Sequence, residues 1–596
     1  MRRTAVGALL ALVLAVLTAC TNAPVVAPAP EPVAPAPERT ATRIVVGVDD
    51  LGAGFNPHLL ADRSPVTQAL STLVLPSVFR PDAEGTLRLD TTIATSAEVV
   101  ATSPFTVSYE LNVQASWSSN SPIAAEDFVY LWEQMRSTPG TVDGEGYRHI
   151  TDVRSRAGGK AVDVVFDQAY PQWQYLFTGL LPAHILKDAP GSWTGATAGG
   201  LPASGGPFRV VGVDRGRGEV VLARNDLYWA TPATLDQIVL RRLDATQLAE
   251  ALRVGDVDVA MPTADTDVAT ALAAYQTRPA PRATVTDLVL RADYGPLADV
   301  RVRQGIAAVL DRERIRAEVA PGALRADAFG LAPSQPGYVP TATAVGPDPA
   351  AVERLFTEAG YTRSASGAWV LGTTPLRIVV AAGAERVTDV EVAKAVAAQL
   401  EAAGIGVDVV APPAADLASL RAVPATPPVT TTAPVPTPVP TPTATQAPTQ
   451  APTPAATSTP TVSASASAQP ASTTVRADVL VLPRAVGGPI GPQLASDYGC
   501  PEPTVTVPDP PAAPGGFCLA TLQPDLEALA TAAVPDPALI GTVERVLWAQ
   551  LPALPLFQQT SLLVSTPAGS AATGFGAGPL VTGPLTGAQR WVSPGS

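Results

Sequence analysis

The sequence predicts an α/β protein organised as more than one lobe, and three observations carry that expectation. A chain of 596 residues exceeds what one hydrophobic core holds before it divides. Residues 289–321 then run through strand, loop and amphipathic helix. The apolar run 288–290 is of strand type and Asp299 is placed to cap a helix. Val302, Ile306, Val309 and Leu310 share one side at helical spacing, while Arg301, Arg303 and Asp311 point elsewhere. Finally, residues 376–410 read as strand, helix and strand, an αβ unit closing on Gly404-Ile405-Gly406-Val407.

Composition narrows the class of partner. Hydrophobic residues make up 46% of the chain, enough to fold, whereas only 15% are charged and 63 are proline. The prolines cluster, which assigns many of them to linkers. A formal charge of −14 argues against a nucleic-acid partner, because phosphate backbones demand a basic footprint. It leaves room for a neutral or zwitterionic ligand in a local pocket.

At the start of the chain, Arg2 and Arg3 precede an apolar run, 5–17, that is too short to span a bilayer. The following Leu17-Thr18-Ala19-Cys20 is similar to a bacterial lipobox. Residues 1–20 are therefore expected to be a lipoprotein signal peptide. Diacylglycerol on Cys20 would hold the protein at the outer face of the cytoplasmic membrane. Residues 21–42 read as a Pro/Ala tether. The two remaining cysteines, Cys500 and Cys518, are expected to form one disulfide in an exported protein, worth roughly 3 kcal/mol by loop-closure entropy. A metal site is not expected, because the 3 histidines (His58, His149 and His184) lie far apart without ligand spacing.

The body opens with a strand at 43–48 and the polar loop DDLGAGFNPHLLAD, which contains Asn56-Pro57-His58. Residues 105–111 alternate as a strand. A helix then begins at Ala125-Glu126-Asp127 with Phe128, Leu131, Trp132 and Met135 as its buried stripe, and Trp117 reads as a core anchor. Gly206-Pro207-Phe208 leads into a strand, 220–223 pairs back, 238–240 is the next strand, and 246–253 is a short helix. Asp348 and Pro349 supply the N-cap and first position of a further helix, with Val352, Leu355, Phe356 and Ala359 inward and Gly360 ending it. A hairpin follows around Ser366-Gly367. Residues 423–474, almost entirely Pro, Thr, Ala, Ser, Val and Gln, cannot build a core and are expected to form a disordered surface insert. A strand at 477–482 resumes the fold, and a helix at 542–550 leads into the strand-like LPALPLFQQTSLLV.

Several of these blocks, in this order, resemble the family 5 extracellular solute-binding proteins, the peptide- and nickel-binding receptors of ABC importers. They are Trp117 with Pro122 and Ala125 to Phe128; Gly206-Pro207-Phe208 with Asn225, Tyr228 and Trp229; DVRVRQGIAAVLDRERI; and the Asp348-Pro349 helix. The resemblance implies a two-lobed periplasmic-binding-protein-like α/β fold of the type II, large peptide-binding class, with a hinge and an interlobe cleft. Lobe I would take residues 43–286, lobe II residues 287–557 including the insert, and residues 558–596 would return to lobe I. The resemblance also implies a monomeric binding protein without cofactor, which takes a peptide or other solute and works with an ABC permease. The chain carries no G-x-S-x-G elbow, Walker loop, H-E-x-x-H or Rossmann fingerprint, and no catalytic residue is assigned.

Expectations for the ligand site follow from the same resemblance. Peptide binders of the family carry an aspartate in a W-x-x-D-Y-x-D-P segment, where this chain reads PRAVGGPIGPQLASDYGCPEP. The tryptophan is gone, and Arg484 and Asp497 are the candidates that remain. Asn56 and His58 occupy the loop that lies near the cleft in the family. Arg291 stands where the family has F-N; a guanidinium there suits a carboxylate or phosphate, or else pairs with a neighbouring acid. Residues 47–81 and these departures are most similar to one actinobacterial lipoprotein branch. That likeness implies an alternative role in phosphatidylinositol mannoside and lipoarabinomannan assembly, with a glycolipid ligand in place of an imported one.

Overall fold

Ile44, Val45, Val46 and Val48 are all buried, on both faces of the strand Arg43–Val48, so this strand lies inside a sheet and not at its edge. It pairs in parallel with Gln237–Arg242 on one side and Val259–Ala260 on the other. The structure is a computed structural model that describes residues 41–342, 345–418, 476–503, 507–508 and 510–594. Cys20 and the insert 423–474 lie outside the described residues.

Among the described residues the main sheet has 11 strands. Its middle is formed by two long antiparallel strands, Arg278–Leu290 and Ala553–Ser565, each of 13 residues. At one end they join Val479–Ala485, which leads on to Arg377–Ala382 and Gly406–Val410. At the other end Val564 and Ser565 meet Val259–Ala260, which leads to Arg43–Val48 and the antiparallel strands Gln237–Arg242, Glu219–Arg224 and Phe208–Asp214. The register of the two long strands shifts between Pro281 and Val285 and again between Thr286 and Asp287. Prolines at 279 and 281 withhold donors from the ladder, and the irregularity follows them.

The hydrophobic core changes at this irregular point. One core gathers residues from Ile44 to Ala280 together with Leu563, Phe575, Leu585 and Trp591. The other gathers residues from Leu288 to Phe557. Two cores on one sheet, linked by two strands that weaken where they cross, give the two-lobed architecture with a hinge. A second, four-stranded antiparallel sheet in the first core is covered by the helix Ala125–Ser137. Here Trp117 is fully buried and donates from Nε1 to Asp127, the core anchor its position predicted.

Helix starts follow local chemistry. Asp299, Asp311, Asp348 and Asp536 each accept a backbone N–H at the first turn of their helices. Three expectations need correction. The strand expected at 288–290 extends back to Arg278, because cross-strand pairing overrides the two prolines. The helix expected at 542–550 starts at Pro537, where Asp536-Pro537 gives an N-cap and N1 pair. Arg303 does not point to solvent. It is 3% exposed and donates to the carbonyls of Leu297 and Gln550, closing the loop before its helix onto the end of another. Cys500 and Cys518 are bonded, with their Cα atoms 4.7 Å apart.

Candidate ligand site between the two cores

Three cavities follow one another along the seam between the cores. The first, of about 100 Å³, lies between Leu60 and residues 140–148 on one side and residues 482–485, 496–498 and 511–517 on the other. The second, of about 250 Å³, shares Val142 with the first and is walled by residues 57–81 and 486–489. The third, of about 500 Å³, shares Arg63, Ser64 and Gln68 with the second and reaches the crossing strands at Arg282 and Gln559. Because each cavity shares lining residues with the next, they are neighbours along one seam, with both lobes and the hinge in its walls.

The first cavity sets apolar walls against polar groups that include Thr141, Arg148 and Ser496 and a charged corner. Leu60, Val142, Val289, Leu482, Phe517 and a run of prolines form its walls. At the corner, Arg484 pairs with Asp287 at 2.8 Å and also donates to the Ala328 carbonyl. Burial pulls the Arg484 guanidinium down, and the charge of Asp287 more than reverses this. Arg484 Nη1, Asp287 Oδ1 and Asp497 Oδ2 are buried and have no hydrogen-bond partner among the described residues. Burial pushes Asp497 up to about 8, against the pull of Arg484. The loop 500–518, stapled at its ends by the disulfide, contributes Pro511 to Phe517 to this cavity.

The second cavity combines apolar wall, including Pro57, Leu87, Met135, Val142, Val486 and Val581, with a set of hydroxyls. Ser64, Thr67, Ser71, Ser77, Tyr147 and Thr178 face it with the Gln68 amide, and Phe79 and Tyr175 add aromatic surface. Ser64 caps the helix Pro65–Val74 by accepting from Thr67 N, so the cap and the first two turns of the helix present Ser64, Gln68, Ser71 and Thr72 to the cleft. Asp143 also lines this cavity, at φ +56°. A non-glycine residue in that region is strained.

The residues singled out from sequence divide. Arg484 and Asp497 meet in the first cavity. His58 lines the second, donates from Nε2 to the Gly179 carbonyl at 2.9 Å and stacks on Trp193; burial pushes it down to about 4, so it is neutral at physiological pH. Asn56 is fully buried behind it, accepting from His58 N and donating to the Trp193 carbonyl. Arg291 lies outside the linings of all three cavities. Its guanidinium is 1% exposed, pairs bidentately with Asp293 and lies over the Tyr294 ring. Of the two roles open to it, the structure displays the ion pair. Sequence reasoning missed Asp287, Asp143 and Arg63. The one signal for Arg63 was its place directly before the helix start Ser64-Pro65, at the end of the loop already linked to the cleft.

The family model for bacterial extracellular solute-binding proteins, family 5, matches residues 89–451, more than half of the chain. The chain is a family 5 extracellular solute-binding protein. This binding protein is 34% identical, over 99% of its length and 98% of the relative's, to the "Probable monoacyl phosphatidylinositol tetramannoside-binding protein LpqW" of Mycobacterium tuberculosis. It is 27% identical to the oligopeptide-binding protein OppA of the same species over 36% of its own length and 37% of OppA. Among solved structures it superposes on the oligopeptide-binding protein AppA of Bacillus subtilis with a TM-score of 0.67 and 14% identity, covering 93% of this chain and 99% of AppA. The periplasmic EDTA-binding protein EppA gives a TM-score of 0.65 at 19% identity, covering 92% and 96%. The family and its structural neighbours are binding proteins and not enzymes.

Proposed function

We propose that the cleft binds a sugar-bearing headgroup of the mannosylated phosphoinositide class, and that the protein serves cell-envelope assembly and not peptide uptake. The hydroxyls set among the apolar walls of the second cavity support this most directly. Ser, Thr and Tyr hydroxyls both donate and accept, which suits a polyol. The near full-length similarity to LpqW supports the same reading. The protein acts as a monomer held at the membrane by lipid on Cys20. We take residues 43–286 and 558–596 as one lobe and 287–557 as the other, and the change of core between Ala280 and Leu288 supports that division.

Native mass spectrometry of protein isolated from its own membranes tests the proposal. A co-purified mannosylated phosphoinositide is the expected result, and a population of bound oligopeptides would overturn it. Cys20→Ser is expected to release the protein to the medium; continued membrane retention would refute the lipid as sole anchor.

A further inference from the structure

Arg63 is an arginine of the cleft that its own surroundings hold only loosely. It lies where the second and third cavities join. Its hydrogen bonds are long, 3.5 Å to the Pro57 carbonyl and 3.3 Å to the Ala283 carbonyl, and it has no carboxylate within ion-pair distance among the described residues. Arg386 reaches it from the other lobe, donating to the Arg63 backbone carbonyl at 2.9 Å. Arg282, on the crossing strand, donates to Ser561, Thr263 and, at 3.5 Å, Gln559, and its nearest carboxylate, Asp49, is 3.9 Å away.

The acids lining the third cavity each have a hydrogen bond of their own, although Asp49, Asp50 and Asp265 also act on Arg282 through their charge. Asp49 accepts from Thr263 N, Asp50 from Gly52 N, Asp265 from Val268 N and Glu385 from Ala414 N. Asp389 is paired with Arg386. The 16-residue helix Val387–Ala402 starts at this point, and its N-cap, Arg386, supplies no side-chain hydrogen bond to its first turn. A half-buried guanidinium with only long hydrogen bonds, Arg63, a second on the crossing strand, a third reaching across the seam, and the positive end of a long helix favour an oxyanion here. Burial lowers Arg63 and Arg282 and the like charge of Arg386 adds to this, against the pull of Asp143 on Arg63 and of Asp49, Asp50 and Asp265 on Arg282; a bound anion would relieve the burial cost.

We propose that Arg63, Arg282 and Arg386 form a phosphate subsite, one guanidinium from each lobe and one from the hinge, which holds the ligand's phosphate beside the hydroxyls of the second cavity. This rests on reading the cleft as a headgroup site and assigns the anionic part of that headgroup. Because the arginines come from both lobes, a phosphate bridging them also draws the lobes together.

Isothermal titration calorimetry on the full chain, with inositol 1-phosphate and the neutral sugar mannotetraose as separate probes, tests the subsite. Arg63→Gln and Arg386→Gln are each expected to weaken inositol 1-phosphate at least tenfold and leave mannotetraose within twofold. Arg63→Lys, which keeps the charge but loses the fork, is expected to fall between. Wild-type affinity for inositol 1-phosphate in both Gln variants would overturn the subsite and leave the headgroup reading standing. Arginine-dependent binding of inositol 1-phosphate without any of mannotetraose would keep the subsite and overturn the sugar reading. Failure of both probes to bind the wild type would overturn both. Matching thermal melts for the variants separate lost binding from lost folding.

Discussion

Asp497 keeps one carboxylate oxygen buried and unpartnered beside Arg484, and its titration sets a measurable pH dependence. In an unfolded chain an aspartate titrates near pH 4; burial pushes it up to about 8 in the folded protein. The folded state therefore binds the proton more tightly, and stability falls as pH rises between about 4 and 8. Asp497→Asn is expected to flatten that fall by roughly 2–5 kcal/mol, measured by urea unfolding at pH 5 and pH 8.5. His149 works through a different balance. Burial lowers it, but the hydrogen bond to Asp167 and the Glu145 carboxylate 3.5 Å away outweigh this and raise it to about 9. Its contribution is complete below about pH 6.5 and lost as pH rises through about 9, so His149→Gln is expected to cost about 1–3 kcal/mol at pH 6 and little at pH 10. Single residues were the least legible level in the sequence. Arg291 looked available because its partner, Asp293, was as plausible a solvent-facing acid as any other. Arg63 looked like an ordinary loop arginine because the lobes that enclose it are remote in sequence.

Elements were far more legible. Asp348-Pro349 and Gly360 marked a helix at both ends because capping chemistry is local, and the strands near 43, 105 and 377 announced themselves by apolar runs. The crossing strand Arg278–Leu290 was read only at its last residues, since Pro279 and Pro281 speak against a strand and only its distant partner Ala553–Ser565 decides the matter. The disulfide and the loop it closes make a prediction at this scale. Cys518→Ser is expected to lower stability by about 3 kcal/mol, and reductant should reproduce the shift in the wild type but not in the variant. The helices Ile490–Tyr498 and Gln523–Ala530 approach so closely that a Cβ on Gly491 would sit 2.0 Å from the Leu529 carbonyl oxygen. Gly491→Val is therefore expected to cost on the order of 2 kcal/mol or more by overpacking, checked by urea unfolding.

At the scale of the whole molecule, one sheet runs through both cores, and the cleft lies where its two long strands pass between them. The length of the chain and the ordered family blocks made this architecture readable. The linings of the cavities were not, because each wall takes residues hundreds of positions apart. Contacts across the seam already join the lobes: Gly144 N to Ser496 Oγ, Gln168 to Glu527, and Gln172 to the Ala532 carbonyl. A ligand held in the cleft adds to these and should slow opening of both walls together. Hydrogen–deuterium exchange with and without a mannosylated phosphoinositide measures this most directly. The account predicts concerted protection of residues 63–80, 141–148 and 482–489, on both sides of the cleft. Protection confined to one lobe, or none at ligand concentrations that saturate binding, would contradict it.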